Sequence, residues 1–347
     1  MRESQKVNIK DVARLAGVSP TTVSHALGGR RPVAASTRKR VLEAADRLGY
    51  RPHPGARSLK AAGTGVLGLC VANLTGGVTP LAEMEYYFRT VIAATETAVE
   101  ERFALVVVPE SEAGGFWDKI LLDGAIITDP QRGDAGIRRL AARDLPVVTV
   151  GRDPDAPDDG YWVDSDPVAA TRLCLDHLAA RGARDVAGVS FMTTDYWTQA
   201  CLQTYRTWCG ERGQRPRLEI TPSESEEELR ASALRLLESR PRPDAVYGFY
   251  ELPVLSVLEV ARELGIDVPG ELMVASSNDL GLGSSTTPPM TTLDYDPAAQ
   301  ARAATHLLIE QIRGQTPSEP RQLLPVTLVE RESTRRALVE RESTRRR

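Results

Sequence analysis

Residues 8–32 contain the sequence pattern that most clearly indicates a fold in this chain. They run Asn8-Ile9-Lys10-Asp11-Val12-Ala13-Arg14-Leu15-Ala16-Gly17-Val18-Ser19-Pro20-Thr21-Thr22-Val23-Ser24-His25-Ala26-Leu27-Gly28-Gly29-Arg30-Arg31-Pro32. In the first half the apolar residues recur at helical spacing, which predicts one buried helix face made of Ile9, Val12, Ala13 and Ala16. Asn8 is suited to cap this helix, and Gly17 to end it. The stretch therefore opens with a short amphipathic helix and a turn.

A second helix is predicted to begin directly after that turn. Ser19 is a good N-cap, and a proline at the first helical position has no amide proton to lose. Two helices joined by a short turn containing glycine form a helix-turn-helix. The exposed face of the second helix carries small polar groups and one imidazole, which suit a DNA major groove. We expect base contacts from Pro20, Thr21 and His25, and phosphate or nearby contacts from Ser19, Thr22 and Ser24.

An ordinary helical hairpin with its polar face in water would show the same local pattern. Two neighbouring features favour DNA binding. A third amphipathic helix is predicted over residues 37–48, with Gly49 as its stop. Residues 1–62 contain 13 Lys and Arg against 4 Asp and Glu, whereas the rest of the chain contains 30 against 43. The basic N-terminal part would attract a phosphate backbone, and Arg31 is a further candidate for a DNA contact.

Residues 8–60 resemble the DNA-binding headpiece of the LacI/GalR (lactose-repressor/galactose-repressor) family of bacterial transcription regulators. Four phrases carry the resemblance: Ile9-Lys10-Asp11-Val12-Ala13, Ala16-Gly17-Val18-Ser19, Thr22-Val23-Ser24 and Leu48-Gly49-Tyr50. It implies a homodimer that binds a near-palindromic operator in double-stranded DNA and acts as a repressor. It also implies that the linker folds into a hinge helix on DNA, with Leu59 in a minor-groove step and Arg57 and Lys60 beside phosphates.

Beyond the linker, strand-like apolar runs alternate with helical stretches. The runs lie at 66–71, 104–108, 124–127, 147–150, 186–190, 245–249 and 272–276, and the helical stretches at 88–101, 135–143, 167–180, 226–238, 253–264 and 297–313. This alternation predicts parallel sheets in doubly wound layers. The Gly63–Gly68 stretch matches a GxGxxG pattern, but it precedes a strand instead of following one, so it does not predict a nucleotide site.

Later phrases are similar to landmarks of the family's effector domain, a type I periplasmic-binding-protein fold. They lie at residues 123–127, 146–148, 163–166 and 288–292. The expected fold class is an N-terminal all-α helix-turn-helix headpiece plus a bilobed α/β effector domain with two doubly wound parallel sheets. The expected division is residues 1–50 for the headpiece, 51–63 for the hinge or linker, 64–336 for effector binding and dimerisation, and 337–347 for a basic tail that repeats 328–336. The first lobe would comprise 64–152 and 297–336, and the second 166–293, with crossings within 152–166 and near 294–297.

The cleft between the lobes is expected to bind a small-molecule effector. Tyr86, Tyr87 and Trp197 are aromatic candidates for stacking on a ligand, although the same residues could equally belong to the core. Arg152, at the end of the first lobe, is a polar candidate.

The resemblance also indicates what the effector is not. It places Cys201 where sugar-responsive members carry an arginine, Asn278 where they carry an aspartate, and Tyr250 in a cleft loop that normally holds an Asn-Asp pair. These replacements remove groups that compensate for the desolvation of sugar hydroxyls. A classical hexose is therefore not expected as the effector.

Other function classes find little support in the sequence. Four scattered cysteines and four scattered histidines offer no metal-ligand spacing, and neither a nucleophile elbow nor a phosphate loop is present, so no cofactor, metal or enzymatic activity is expected. Asp164 and Asp166 could serve acid chemistry but are expected to cap the following helix. The sequence has no apolar run long enough to span a membrane, so no membrane partner is expected. The expected location is the cytoplasm. Two alternatives stay open: a regulator whose vestigial cleft answers to no small molecule, and a ligand-binding α/β protein with an incidental basic N-terminus.

Overall fold

The computed structural model describes residues 8–28, 33–50, 63–71, 81–109, 115–279 and 281–336. They fall into two compact units, one within Met1–Gly65 and the other within Val66–Arg347. The smaller unit is helical and the larger is built on parallel sheets, which confirms the predicted fold class. Of the predicted hinge segment only Gly63 is among the described residues, and the repeated basic tail lies outside them.

Three helices form the smaller unit: α1 (Ile9–Ala16), α2 (Pro20–Gly28) and α3 (Ala35–Leu48). A capping box fixes the start of α1, because the Asn8 side chain accepts the Lys10 N–H at 2.8 Å while the Asn8 N–H donates to Asp11 at 3.0 Å. Gly17 and Gly49 end α1 and α3 in the left-handed region, both with φ of +63°, as predicted. The helices enclose a small core of Val12, Ala13, Ala16, Val23, Ala26, Val41, Ala44 and Ala45.

The first lobe of the larger unit is built on a six-stranded parallel sheet. Its strands are β1 (Val66–Val71), β2 (Ala104–Pro109), β3 (Gly124–Thr128), β4 (Val147–Val150), β5 (Trp162–Ser165) and β11 (Arg321–Leu324), in the order β11-β5-β4-β3-β1-β2. Helices α4 (Leu81–Glu100) and α10 (Pro297–Ile312) cover one face, and α5 (Ala135–Ala141) packs on the other. Buried apolar side chains line both faces, which explains the nearly continuous apolar strands.

The second lobe has a four-stranded parallel sheet and a two-stranded antiparallel sheet. The first contains β6 (Val186–Phe191), β7 (Leu218–Thr221), β8 (Ala245–Gly248) and β9 (Met273–Ser276), in the order β7-β6-β8-β9, and the second pairs β10 (Thr292–Asp294) with β12 (Thr327–Val329). Its helices are α6 (Pro167–Ala180), α7 (Tyr196–Glu211), α8 (Glu226–Glu238) and α9 (Glu251–Glu263). Among the helices of the described ranges, none is both long and apolar enough to cross a membrane.

The chain passes between the lobes at points that differ in part from the expectation. Strand β5 pairs with β4 and β11 in the sheet of the first lobe, so the first crossing follows Ser165. The polar run before β5 is a loop of the first lobe, and its Asp and Pro residues concealed the short strand. At the other end, β12 pairs with β10, so the closing segment lies with the second lobe and not with the first. Ser333 and Thr334 in the first copy of the repeat are fully buried, and this copy is structured as predicted.

Candidate functional site

Helix α2 presents the polar face that the sequence predicts. Val23 and Ala26 are buried beneath it, whereas Pro20 and Thr21 are exposed. Ser24 and His25 are partly exposed, and their side chains make no hydrogen bond within the described headpiece. A helix with free polar groups at successive turns can offer them to base edges in a groove.

Ser19 has a structural role as well as a predicted DNA contact. Its Oγ accepts the Thr22 N–H at 3.0 Å and lies 2.9 Å from the Thr22 hydroxyl. This is the N-cap predicted for α2, and it fixes the first turn of the helix. The two hydroxyls are therefore held together at the end of the helix that carries the candidate base contacts.

The headpiece that carries this surface is also rich in basic side chains. Six are exposed in the described part: Lys10, Arg14, Arg38, Lys39, Arg40 and Arg47. Only Arg14 forms an ion pair there, with Asp11 at 3.3 Å. Four further predicted contacts, Arg31, Arg57, Leu59 and Lys60, lie outside the described residues.

A cavity of about 320 Å³ lies between the two lobes. It opens at the carboxyl ends of strands from both parallel sheets, where ligands bind in open α/β folds. The acidic residues among its lining are Asp129, Asp164, Asp195, Glu224, Asp279 and Asp294, and the aromatic ones are Tyr86, Tyr87, Phe191, Trp197, Phe249, Tyr250 and Tyr295. No lysine, arginine or histidine of the described chain lines it.

Five of the seven predicted effector contacts lie on this cavity, namely Tyr86, Tyr87, Trp197, Tyr250 and Asn278. Cys201 does not, because its side chain is only 1% exposed and belongs to the apolar core of the second lobe. Its thiol lies 3.8 Å from the Pro167 carbonyl oxygen. The helical position inferred from the resemblance turns toward the core, so Cys201 is corrected to a packing residue.

Arg152 also lies off the cavity lining, and it connects the two lobes instead. Its guanidinium lies 4.4 Å from the ring centre of Trp162 in the first lobe and 4.8 Å from that of Tyr196 in the second. Its Nη1 also donates to the Tyr196 hydroxyl at 3.1 Å. These stacked and hydrogen-bonded contacts hold the lobes together beside the cavity.

Asp164 is the buried partner of Arg152. The Arg152 Nε lies 3.4 Å from Oδ2 of Asp164, whose side chain is 5% exposed. Burial raises the pKa of the Asp164 carboxyl to about 7, against the lowering effects of the Ser165 N–H and of Arg152. The expectation that Asp164 caps the next helix is wrong, since Asp166 alone of the two accepts the N–H groups of Val168 and Ala169.

A second carboxylate is held by a hydrogen-bond network at the wall of the second lobe. Asp195 caps α7 by accepting the Thr198 N–H at 2.7 Å, and it also accepts the hydroxyls of Thr193 at 2.6 Å and Tyr250 at 3.1 Å. Burial, followed by the nearby charge of Asp195, raises the pKa of Tyr250 well above its ordinary value. Tyr250 therefore remains a neutral phenol that donates to the carboxylate.

The closing segment of the chain supplies the partner of a third carboxylate. Arg331 lies 2.6 Å from Oδ2 of Asp279, and it also donates to the Met290 carbonyl and to the Thr292 hydroxyl. Thr292 in turn donates to Asp279 at 2.9 Å. Asp279 is thus tied to the wall of the cavity by residues of the second lobe.

Sequence reasoning missed most of the acidic lining. Asp129 directly follows the apolar strand β3, and a polar residue at a parallel strand's carboxyl end is the signal that could have found it. Asp195 and Glu224 follow β6 and β7 by a few residues, but β7 itself was not predicted.

A helix-turn-helix unit joined to a bilobed periplasmic-binding-like domain defines a DNA-binding regulator with an effector domain. Comparison with known families agrees: the family model for bacterial regulatory proteins of the lacI family matches residues 8–53, and that for a periplasmic binding protein-like domain matches residues 175–334. The chain therefore combines a DNA-binding domain of the lacI family with a periplasmic binding protein-like domain.

Relatives extend this likeness over the whole chain. The regulator CelR of Thermobifida fusca is 26% identical over 96% of this chain and 100% of its own length, and PtxS of Pseudomonas putida is 28% identical over 95% and 96%. A solved CelR–cellobiose complex shares 25% identity with a TM-score of 0.69, covering 94% of this chain and all of its own. The fold also matches a lac repressor dimer bound to operator and the anti-inducer ONPF, at 23% identity, with a TM-score of 0.78 and coverage of 95% and 99%. The relatives are transcriptional regulators and not enzymes, as the sequence predicts.

Proposed function

We propose that this protein is a homodimeric repressor that binds a near-palindromic operator through α2, and that a small molecule in the interlobe cavity modulates its affinity for DNA. The observation that carries the proposal is the free polar face of α2 in a basic headpiece. Pro20, Thr21 and His25 would reach base edges, while Ser19, Thr22 and Ser24 would lie against phosphates.

An apolar stripe on α4 supports the homodimer. Phe88, Ile92 and Val99 lie on one side of this helix and are 65%, 41% and 62% exposed. The other side of α4 packs on the sheet and on α10, so the residues of the stripe do not belong to the core of this chain. Two copies joined along it would bring two headpieces into one molecule, as an operator with two half-sites requires.

Four predicted contacts outside the described residues complete the DNA-binding proposal. Arg31 follows α2, and Arg57, Leu59 and Lys60 belong to the hinge segment, where Leu59 would enter the minor groove between two half-sites. A protein that regulates bacterial genes in this way would act in the cytoplasm.

The interlobe cavity supports modulation by a ligand. It draws walls from both lobes, so a bound molecule would favour one lobe arrangement over another, and the coupling to DNA would be worth about 1–3 kcal/mol. The solved relatives named above include a cellobiose complex and a complex with an anti-inducer, which favours a ligand-gated regulator over one with a vestigial cleft.

Gel-shift binding to the DNA upstream of the protein's own coding sequence tests the proposal. Wild type should prefer one site over scrambled DNA by about 10³-fold or more, and His25→Ala should lose most of that preference but keep salt-dependent nonspecific binding. Arg47→Ala is the matched control, since it removes a backbone-attracting charge and should weaken binding to both DNAs alike. Equal binding of all genomic fragments by wild type would refute operator recognition.

A further inference from the structure

We propose that the ligand of the interlobe cavity is an organic cation, a small molecule that carries protonated amine or guanidine groups on an aliphatic body. This inference rests on the proposed function, because it assigns the charge class of the effector. It draws on four properties of the cavity: its charge, its hydrogen-bonding groups, one buried carboxylate and its aromatic rings.

The described lining of the cavity is acidic. Arg152 and Arg331 neutralise Asp164 and Asp279, but they do so from outside the lining. Asp195, Glu224 and Asp294 form no ion pair with any residue in the described ranges. Carboxylates gathered in a partly enclosed space repel each other and lose hydration, and a bound cation relieves both effects.

The hydrogen-bonding groups of the lining also favour a donor-rich ligand. Several side-chain donors are already committed to protein acceptors, as shown by Tyr250 with Asp195, Gln300 with the Ser165 hydroxyl at 3.1 Å and Ser277 with the Phe249 carbonyl at 2.7 Å. The Glu224 carboxylate accepts no hydrogen bond from a described residue and remains as an acceptor. An ammonium group has three donors and a guanidinium has five, and neither has an acceptor that would go unsatisfied.

Asp164 provides a separate indication of a ligand. Its side chain is only 5% exposed, and its Oδ2 accepts no hydrogen bond from the part of the chain that the structure describes. The residue also lines the cavity, and its Oδ2 lies 3.4 Å from Arg152 Nε without a hydrogen bond, so the ion pair leaves this carboxyl incompletely coordinated. A cationic donor in the cavity would complete the coordination of the Asp164 carboxyl.

Aromatic rings form the remaining walls. Phe191 and Tyr250 stack with ring centres 4.2 Å apart, and Trp197 meets Tyr295 edge to face at 5.0 Å. Such rings attract a cation at their faces and pack against an aliphatic body. Acidic and aromatic walls together fit a cation with an apolar part better than an inorganic ion.

Matched ligand pairs test the charge assignment on the full chain. Thermal shift and calorimetry would compare 1,4-diaminobutane with 1,4-butanediol, agmatine with 4-hydroxybutylurea, and glucosamine with glucose, with Mg²⁺ as a general cation control. We expect at least one cation to stabilise the chain while its neutral counterpart and Mg²⁺ do not. The proposal is overturned if no cation stabilises the chain, if the neutral member of each pair binds equally well, or if Mg²⁺ has the same effect.

Two charge-removing variants locate the binding. Glu224→Gln lies on the cavity and removes a carboxylate that has no hydrogen bond or ion pair with a described residue, so the fold should tolerate it. It should weaken binding of the cation about tenfold. Glu319→Gln, an equal charge change at an exposed site off the cavity, should leave binding unchanged. Equal losses in both variants would overturn the proposal. The gel shift without ligand reports on the proposed function separately, so the failure of either can be recognised.

Discussion

The face of α2 and the interlobe cavity are built in opposite ways. The face of α2 is formed by neighbouring residues of one nine-residue helix, and the basic side chains of the headpiece are exposed. The second draws side chains from Tyr86 to Gln300, and its carboxylates are partly or fully removed from water. Charge on an exposed surface is screened by salt, whereas charge in a cavity acts through desolvation. Salt should therefore control the first region, and pH and ligand charge the second.

The largest effect should come from breaking the headpiece alone. Val23→Asp places a carboxylate at a fully buried position of α2, and an unpaired buried charge costs several kcal/mol, more than so small a core can lose. DNA binding should disappear, while the thermal transition of the larger unit stays in place. Leu42→Asp, the same charge change at a position 46% exposed, should retain a folded headpiece. A shift of the larger unit's transition in Val23→Asp would show that the two regions are not independent.

Separating the two copies of the dimer should have the second largest effect, a loss of operator affinity. Phe88→Glu puts a charge at the most exposed residue of the α4 stripe, so analytical ultracentrifugation should show monomers, and operator affinity should fall about a hundredfold because one headpiece then binds alone. Leu173→Glu on α6, 40% exposed, is the matched control and should remain dimeric. A dimer that persists in Phe88→Glu would place the interface elsewhere.

The buried carboxyl at the cavity should give the larger unit a pH dependence. The folded-state pKa of Asp164 is raised from its ordinary value of 3.8 to about 7, so between these values the folded state binds more protons than the unfolded state. Stability should fall as pH rises from about 4 to 7, by a few kcal/mol at most, and then level off. Denaturant unfolding of Asp164→Asn should lack this part of the decline. Parallel curves for the two proteins would contradict the raised pKa.

The smallest effect should come from the cap of α2. Ser19→Ala removes the oxygen that accepts the Thr22 N–H and should destabilise the headpiece by about 1 kcal/mol. Ser36→Ala, at an exposed position in the first turn of α3, removes an equal group with no cap bond and should change stability little. Thermal unfolding of the headpiece signal measures both, and equal losses would argue against a cap at Ser19.

The two regions also differ in how much of each could be predicted from the sequence. The caps at Asn8 and Ser19, the stop at Gly17 and the buried face of α1 all depend on residues within a few positions of each other, and the structure confirms them. The proximity of Asp164, Asp195 and Glu224 depends on how β5, β6 and β7 are placed in two sheets, which local spacing does not encode.

Single side-chain directions were the least predictable feature. Cys201 and Arg152 were placed at the cavity, yet one faces the core and the other joins the lobes. A shift of one residue on a helix turns a side chain by about 100°, so an inferred alignment could not settle which wall Cys201 meets. Strands β5 and β7 are short and are flanked by polar residues. They were missed because neighbouring strands of the sheet bury them, which local sequence does not show.

Operator titration of three proteins tests the central claim that sequence recognition resides in the headpiece alone. Fluorescence anisotropy would give the ratio of operator to scrambled-DNA affinity for wild type, His25→Ala and Glu224→Gln without ligand. We predict a ratio of about 10³ or more for wild type and Glu224→Gln, and a collapse toward unity for His25→Ala. A wild-type ratio near unity, or a ratio that His25→Ala leaves unchanged, would contradict the account.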